Sequence, residues 1–99
     1  MLTFNLTSHW YQKILSGEKH IEYRVVKPYW TTRLAHACQI ESDFPQKEGS
    51  GIDCRAPCCI KKGYTKESIT RTIVRIVVMR GENTDLAYSG LVYALYLQE

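Results

Sequence analysis

The sequence predicts an α+β fold, a small mixed or antiparallel β-barrel with helices packed at its side and end. The N-terminal part follows the order β-α-β-α, and the remainder is mostly strand. Interleaved parallel βαβ units would need more helices than these two. With 99 residues, 44% of them apolar, the chain suits one domain, residues 1–99, built around a single core.

Composition excludes several classes of protein. The charged fraction of 23% is that of an ordinary globular chain, not of a collagen-like, coiled-coil or disordered one. The longest apolar runs, residues 76–79 and 91–97, are far shorter than the roughly 18 residues that a membrane span needs. The first residues show neither a basic segment nor a small-residue cleavage site. We therefore expect no secretory signal, no membrane partner and a cytoplasmic location.

The first strand and the first helix follow from a change in hydrophobic period. Apolar and polar side chains alternate over residues 2–6, which predicts a strand with Phe4 on its apolar face. A Thr-Ser pair then offers an N-cap hydroxyl, and the apolar residues from Trp10 to Leu15 recur on one helical face. Gly17 stands where a left-handed residue commonly ends a helix.

The second strand and the second helix bring charged and aromatic side chains together. Residues 19–26 predict a strand in which Glu22 and Arg24 share one face. Pro28 suits the first position of a short helix. Two aromatic residues and then an arginine lie in the turns of that helix.

The rest of the chain predicts a loop and then strands. Residues 41–51 are polar and contain a proline and two glycines, which predicts a surface loop and the most mobile part of the chain. Strands are predicted over part of 58–62, over the β-branched run 69–80, and over 91–97, where alternate residues form one apolar face.

Charge is unevenly distributed, although the net charge is only +3. Residues 41–53 carry four acidic side chains against one lysine, and residues 54–80 carry seven basic side chains against one glutamate. A basic block of this kind attracts a polyanion, most commonly nucleic acid. The alternative is that these bases form the solvated face of strands.

The four cysteines bear on the compartment and on metal binding. Without a secretory signal, a reducing compartment is the better expectation. Cys58 and Cys59 would point to opposite faces of a strand. His36, Cys38, Cys54 and Cys58 offer zinc one nitrogen and three sulfurs, but no CxxC pair is present. We predict no zinc, no other cofactor and no native disulfide.

The candidate site lies between Gly17 and Arg24. Lys19 follows the turn at Gly17, and Glu22 and Arg24 project from one strand face. A carboxylate between two bases is suited to act as an oriented acceptor or base, and the planar fork of an arginine suits a phosphate or a base edge. The alternative is a surface Glu–Arg pair of small energetic value.

The spacing of these residues resembles that of a known family. Residues 17–24 match GxKxxExR, which is similar to the signature of the ASCH domain, a branch of the PUA-like superfamily. The flanking segments ILSGEK, KPYW and KKGYT also resemble small ASCH proteins of bacteria and phages, so the resemblance covers most of the chain. It implies a PUA-like small mixed β-barrel with flanking helices and a cleft lined by the signature.

The resemblance implies two functions for this cleft. The superfamily mostly recognises RNA or modified nucleobases, so the first is an RNA- or modified-nucleotide-binding module that uses Lys19, Glu22 and Arg24. Some ASCH relatives hydrolyse acylated cytidine, and nuclease activity has been suggested in the family. The second is therefore a metal-independent hydrolase in which Lys19 stabilises an oxyanion and Glu22 is the general base. The amidohydrolase branch carries threonine where this chain has Glu22.

Further residues are predicted to contact nucleic acid. Tyr29 and Arg33 combine an aromatic ring with a base, as stacking and phosphate contact require, although helix packing is the alternative for this aromatic segment. Lys61, Lys62 and Tyr64 are predicted to form the opposite wall of the cleft, with a plain hairpin turn as the alternative. A third hypothesis is a protein-interaction accessory factor that uses exposed tyrosines and has a protein partner instead of RNA.

Overall fold

Five strands and two helices make up the structure, a computed structural model that describes residues 1–99. In chain order they are β1 (Leu2–Leu6), α1 (Ser8–Ser16), β2 (Ile21–Val25), α2 (Pro28–Ala37), β3 (Gly51–Lys62), β4 (Ser68–Arg80) and β5 (Leu91–Gln98). The predicted α+β class is confirmed. Neither helix is both long and apolar enough to cross a membrane.

The strands form one mixed sheet in the order β1-β3-β4-β5-β2. β1 runs parallel to β3, and the other pairs are antiparallel. The sheet curls into a half-barrel, and bulges at Asp53/Ala56 and at Ile73/Arg75 interrupt its two longest strands. Bulges bend strands and increase their twist. The predicted barrel is therefore open, because β1 and β2 are its two edges and do not pair.

The core lies between the sheet and the two helices. Its buried cluster combines Phe4 of β1, Ile14 of α1, Leu34 of α2, and inward residues of the long strands such as Ile60 and Ile73. Alternation along β1 and a helical period along α1 select Phe4 and Ile14, as the sequence predicts. Burial of each such side chain contributes roughly 1.5–3 kcal/mol relative to exposure.

The end of α1 sets the start of the candidate site. Gly17 has a φ of 87° and donates its N–H to the Ile14 carbonyl at 3.2 Å, which is the left-handed helix end that the sequence predicts. A side chain at this φ would be strained. The chain therefore turns sharply at Gly17 and enters β2 a few residues later.

Two parts of the sequence-based prediction differ from the structure. β3 begins at Gly51, not near Cys58, because its outward residues are polar and its bulge breaks the alternation. The segment between α2 and β3 is not simply an exposed loop, since Phe44 is buried in the core and the Tyr93 hydroxyl donates to the Pro45 carbonyl at 2.9 Å. The sequence prediction missed Phe44 because the other residues of this segment are mostly polar.

β5 is buried on both faces, where one apolar face was predicted. Val92, Tyr93, Ala94 and Leu95 are all fully buried. The connection between β4 and β5 folds back against the strand: a Cβ at Gly81 would lie 2.7 Å from the Tyr88 carbonyl oxygen and 2.8 Å from Val92. Glycine therefore permits a close approach that covers the outer face of β5.

The cysteines are free thiols in different surroundings. Cys58 is fully buried, and its neighbour Cys59 is partly exposed, which confirms that they face opposite sides of β3. Burial raises the pKa of Cys58 to about 12, and burial beside Cys54 raises that of Cys38 to about 12. No group of three or more His, Cys, Asp and Glu side chains is arranged to hold a metal ion.

We expect stability to fall above pH 9 in part through Cys58. In the unfolded chain this thiol loses its proton near its ordinary pKa of 9.0, whereas the folded protein keeps it protonated up to about 12. The contribution of Cys58 to the free energy of unfolding is therefore complete below pH 9. It declines between pH 9 and about 12, by up to about 1.4 kcal/mol per pH unit. Urea unfolding at about pH 8 and about pH 10.5 measures the decline. Cys58→Val should make it shallower, and the control Cys59→Val should not; equal slopes in all three proteins would contradict this assignment.

Candidate functional site

A cleft of about 360 Å³ lies where the two edges of the half-barrel approach each other. β1 contributes Asn5 and Leu6 to one wall, and residues 22–25 of β2 form the other. Trp10 of α1 and Trp30 of α2 also line it. The cleft therefore exists because the sheet stays open, and both helices limit it.

Lys19 is almost completely enclosed at this cleft. Its side chain is 9% exposed, and its Nζ lies 2.6 Å from Asp85 Oδ2 and 3.3 Å from Glu22 Oε1. The same Nζ is 4.7 Å from the ring centre of Trp10 and 5.5 Å from that of Tyr23. Two carboxylates and two aromatic faces thus compensate the desolvation of the ammonium group.

Glu22 uses both carboxylate oxygens inside the protein. Oε1 faces Lys19, and Oε2 accepts a hydrogen bond from Arg24 Nη2 at 2.6 Å. The side chain of Glu22 is only 5% exposed, so the alternative of a surface Glu–Arg pair is wrong. Alternation along β2 places residues 22 and 24 on one face, and the curl of the sheet turns that face inward.

Arg24 lies beside two aromatic rings that also pack against each other. Its guanidinium carbon lies 5.0 Å from the ring centre of Phe4 and 5.1 Å from that of Trp30. Glu22 holds one end of the fork, while the Nε–H is buried and has no acceptor within the protein. An unpaired buried donor costs about 1–3 kcal/mol. The Arg24 side chain as a whole is 21% exposed and lines the cleft, so a ligand there would contact the guanidinium.

The charges of the cleft are nearly balanced. Lys19 and Arg24 face Glu22 and Asp85, and Lys27 adds a positive charge among the lining residues. Tyr23, under Lys19, has a pKa raised by burial and then by the negative charge of Asp85. A neutral polar ring fits such an interior, with an anionic group placed toward Lys27.

Asp85 is the functional candidate that sequence reasoning missed. It lies in the connection between β4 and β5, 66 residues from the lysine that it contacts. The preceding Thr84 hydroxyl donates to the Gly81 carbonyl at 2.8 Å, which holds the turn in place. No local pattern marks this aspartate, because its role arises only when the loop reaches the edge of β2.

The other predicted site residues lie outside this cleft. Tyr29 and Arg33 line a separate groove that shares Trp30 with the cleft. The segment formed by Lys61, Lys62 and Tyr64 does not line the cleft, and β1 supplies the opposite wall instead. Tyr64 is 99% exposed at a hairpin turn, and Lys62 Nζ lies 3.6 Å from Glu67.

The fold and the cleft define an α+β protein with a nearly charge-balanced site walled by aromatic rings. No protein-family model, no curated protein and no solved structure matches this chain.

Proposed function

We propose that this protein is an ASCH-type, PUA-like module that binds RNA or a modified nucleotide in the cleft of Lys19, Glu22 and Arg24. The observation that carries the proposal is the Arg24 guanidinium, which lines the cleft beside the rings of Phe4 and Trp30 and has one hydrogen bond within the protein, to Glu22. A planar donor group of this kind matches the carbonyl and ring-nitrogen acceptors of a nucleobase, or a phosphate.

Pre-organisation supports this use of the cleft. Glu22 fixes one end of the Arg24 fork, and Phe4 and Trp30 pack beside the guanidinium. Because this orientation is already held, binding a ligand costs little additional side-chain entropy. The volume of about 360 Å³ lies at the lower end of the range for small-molecule sites, which favours a single base over a larger group.

The basic block contributes less to binding than its composition indicates. Arg71, Arg75 and Arg80 are ion-paired with acidic residues, as is one lysine of the block. Three bases have no such partner: Arg55, Lys61 and Lys66. If these three contact phosphates, a single-stranded RNA should show a slope of log affinity against log salt of about −2.

We expect single-stranded RNA to bind at low salt and to lose affinity at least about tenfold in Arg24→Ala, because the variant loses charge-assisted hydrogen bonds and the planar donor group. Fluorescence anisotropy with a labelled RNA at two salt concentrations measures both effects. Arg75→Ala is the matched control, since that arginine is exposed and outside the cleft.

Arg24→Lys keeps the positive charge beside Glu22 and tests whether the planar fork matters beyond charge. Thermal melting identifies any variant that has lost its fold. The absence of RNA binding at low salt, or equal binding by folded Arg24→Ala and the control, would contradict the proposal.

Hydrolysis is the second candidate function, because Lys19 Nζ lies between the carboxylates of Glu22 and Asp85 inside the same cleft. Here Glu22 would accept a proton from water, and Lys19 would stabilise the developing oxyanion. The RNA recovered from the binding assay, together with acylated nucleosides, tests this alternative. Turnover that disappears in Lys19→Ala and Glu22→Gln would show that the protein is a hydrolase and not only a binding module.

A further inference from the structure

A second groove adjoins the cleft at Trp30, and we propose that it binds the nucleotide next to the one held in the cleft. The ligand class is then a single-stranded RNA, not a free nucleotide. This inference rests on the proposed function, because it takes the first nucleotide to occupy the cleft. The groove has a volume of about 820 Å³ and lies between β1 and α2.

The charge of this groove suits a strand of nucleic acid. Arg33 and His36 line it together with aromatic and small side chains, and no aspartate or glutamate does. A different groove beside α2 is lined by Glu41 and Asp43, which repel phosphates. The acid-free groove is therefore the one into which a strand leaving the cleft would continue.

Tyr29 and Arg33 form a stacking platform in this groove. The Arg33 guanidinium carbon lies 3.5 Å from the ring centre of Tyr29, and its Nη1 donates to the Tyr29 carbonyl at 3.0 Å. The tyrosine side chain is nevertheless half-exposed. An aromatic ring with a stacked guanidinium is a surface on which any base can stack, with a positive charge at hand for its phosphate.

The cleft and the groove meet at two neighbouring aromatic residues, over a distance that two adjacent nucleotides can span. The ring centres of Tyr29 and Trp30 are 5.0 Å apart, and successive nucleotides are about 3.4 Å apart along the axis in a stacked strand and further apart when extended. Lys27 lines the cleft, and its Nζ lies 6.0 Å from the Tyr29 ring centre. The phosphate that joins the two nucleotides would thus pass a lysine.

Isothermal titration calorimetry with the four ribonucleoside 5′-monophosphates and the matching homotrinucleotides tests the groove. The best trinucleotide should bind the wild-type protein at least about tenfold more tightly than its mononucleotide. Tyr29→Ala should remove this gain, a loss of about five- to hundredfold, and leave the mononucleotide affinity unchanged, whereas Tyr29→Phe should retain it. Tyr64→Ala is the control, because that tyrosine is fully exposed and lines neither site.

The outcomes separate the groove from the cleft. A trinucleotide that binds no more tightly than its mononucleotide overturns the groove and leaves the cleft intact. The groove is also overturned if Tyr64→Ala loses the tighter binding of the trinucleotide while Tyr29→Ala retains it. If only the trinucleotide binds measurably, weakening by both Arg24→Ala and Tyr29→Ala supports the proposal, and weakening by Arg24→Ala alone overturns it. If neither probe binds, the proposed function fails, and the groove fails with it.

Discussion

Replacement of Glu22 by alanine should lower the free energy of unfolding by about 3–5 kcal/mol, because it leaves buried cations without their shared carboxylate. Lys19 would keep only Asp85 as an ionic partner, and Arg24 would lose its single hydrogen bond within the protein. The rings around both cations cannot replace a carboxylate at 2.6 Å. Urea denaturation followed by tryptophan fluorescence measures the change.

Two further variants isolate the charge of Glu22. Glu22→Gln keeps the shape and one oxygen acceptor, so it should cost less than Glu22→Ala but remain clearly destabilising. Glu82→Ala removes a carboxylate that also pairs with an arginine at 2.6 Å, but on the surface, and it should change stability little. If Glu22→Ala costs no more than Glu82→Ala, the buried network does not stabilise the fold.

Replacement of Phe4 by alanine should cost about 3–5 kcal/mol and should also weaken ligand binding. Phe4 is fully buried in β1, where its ring packs 5.3 Å from that of Trp30 and 5.0 Å from the Arg24 guanidinium carbon. Removing the ring opens a cavity in the core and takes away one of the two rings that pack beside the arginine. Denaturation and RNA binding, measured on the same preparations, report the two effects separately.

Phe4→Leu distinguishes packing from support of the arginine. Leucine fills much of the same volume, so the stability cost should stay near 1 kcal/mol, while the aromatic face against Arg24 is lost. We therefore expect Phe4→Leu to fold well and still to bind RNA more weakly than the wild-type protein. Wild-type affinity in this variant would show that the aromatic ring of Phe4 does not contribute to binding.

The open sheet accounts for the position of the site. β1 and β2 leave one side of each strand unpaired, and exposed edges normally invite pairing with another chain. Here the side chains of Phe4 and Arg24 meet across the gap, and Trp10 and Trp30 line the cleft between the edges. A closed barrel would place paired backbone where the cleft now lies.

Local elements of this protein are determined by the sequence alone. Alternation over residues 2–6 and the β-branched run 69–80 predict strands that the structure has within one residue, and Gly17 ends α1 as predicted. The shared face of Glu22 and Arg24 also follows from the period of a strand. These features can be predicted from the sequence because each depends only on residues a few positions away along the chain.

Only the tertiary structure decided which groups meet. The pairing of Lys19 with Asp85, the packing of Arg24 beside Phe4 and Trp30, and the burial of Phe44 all join distant parts of the chain. The tertiary structure also places the groove lined by Tyr29 and Arg33 apart from the cleft. A periodic pattern shows which face of an element is buried, but not which distant residue covers it, because that depends on sheet order and on the paths of the connections.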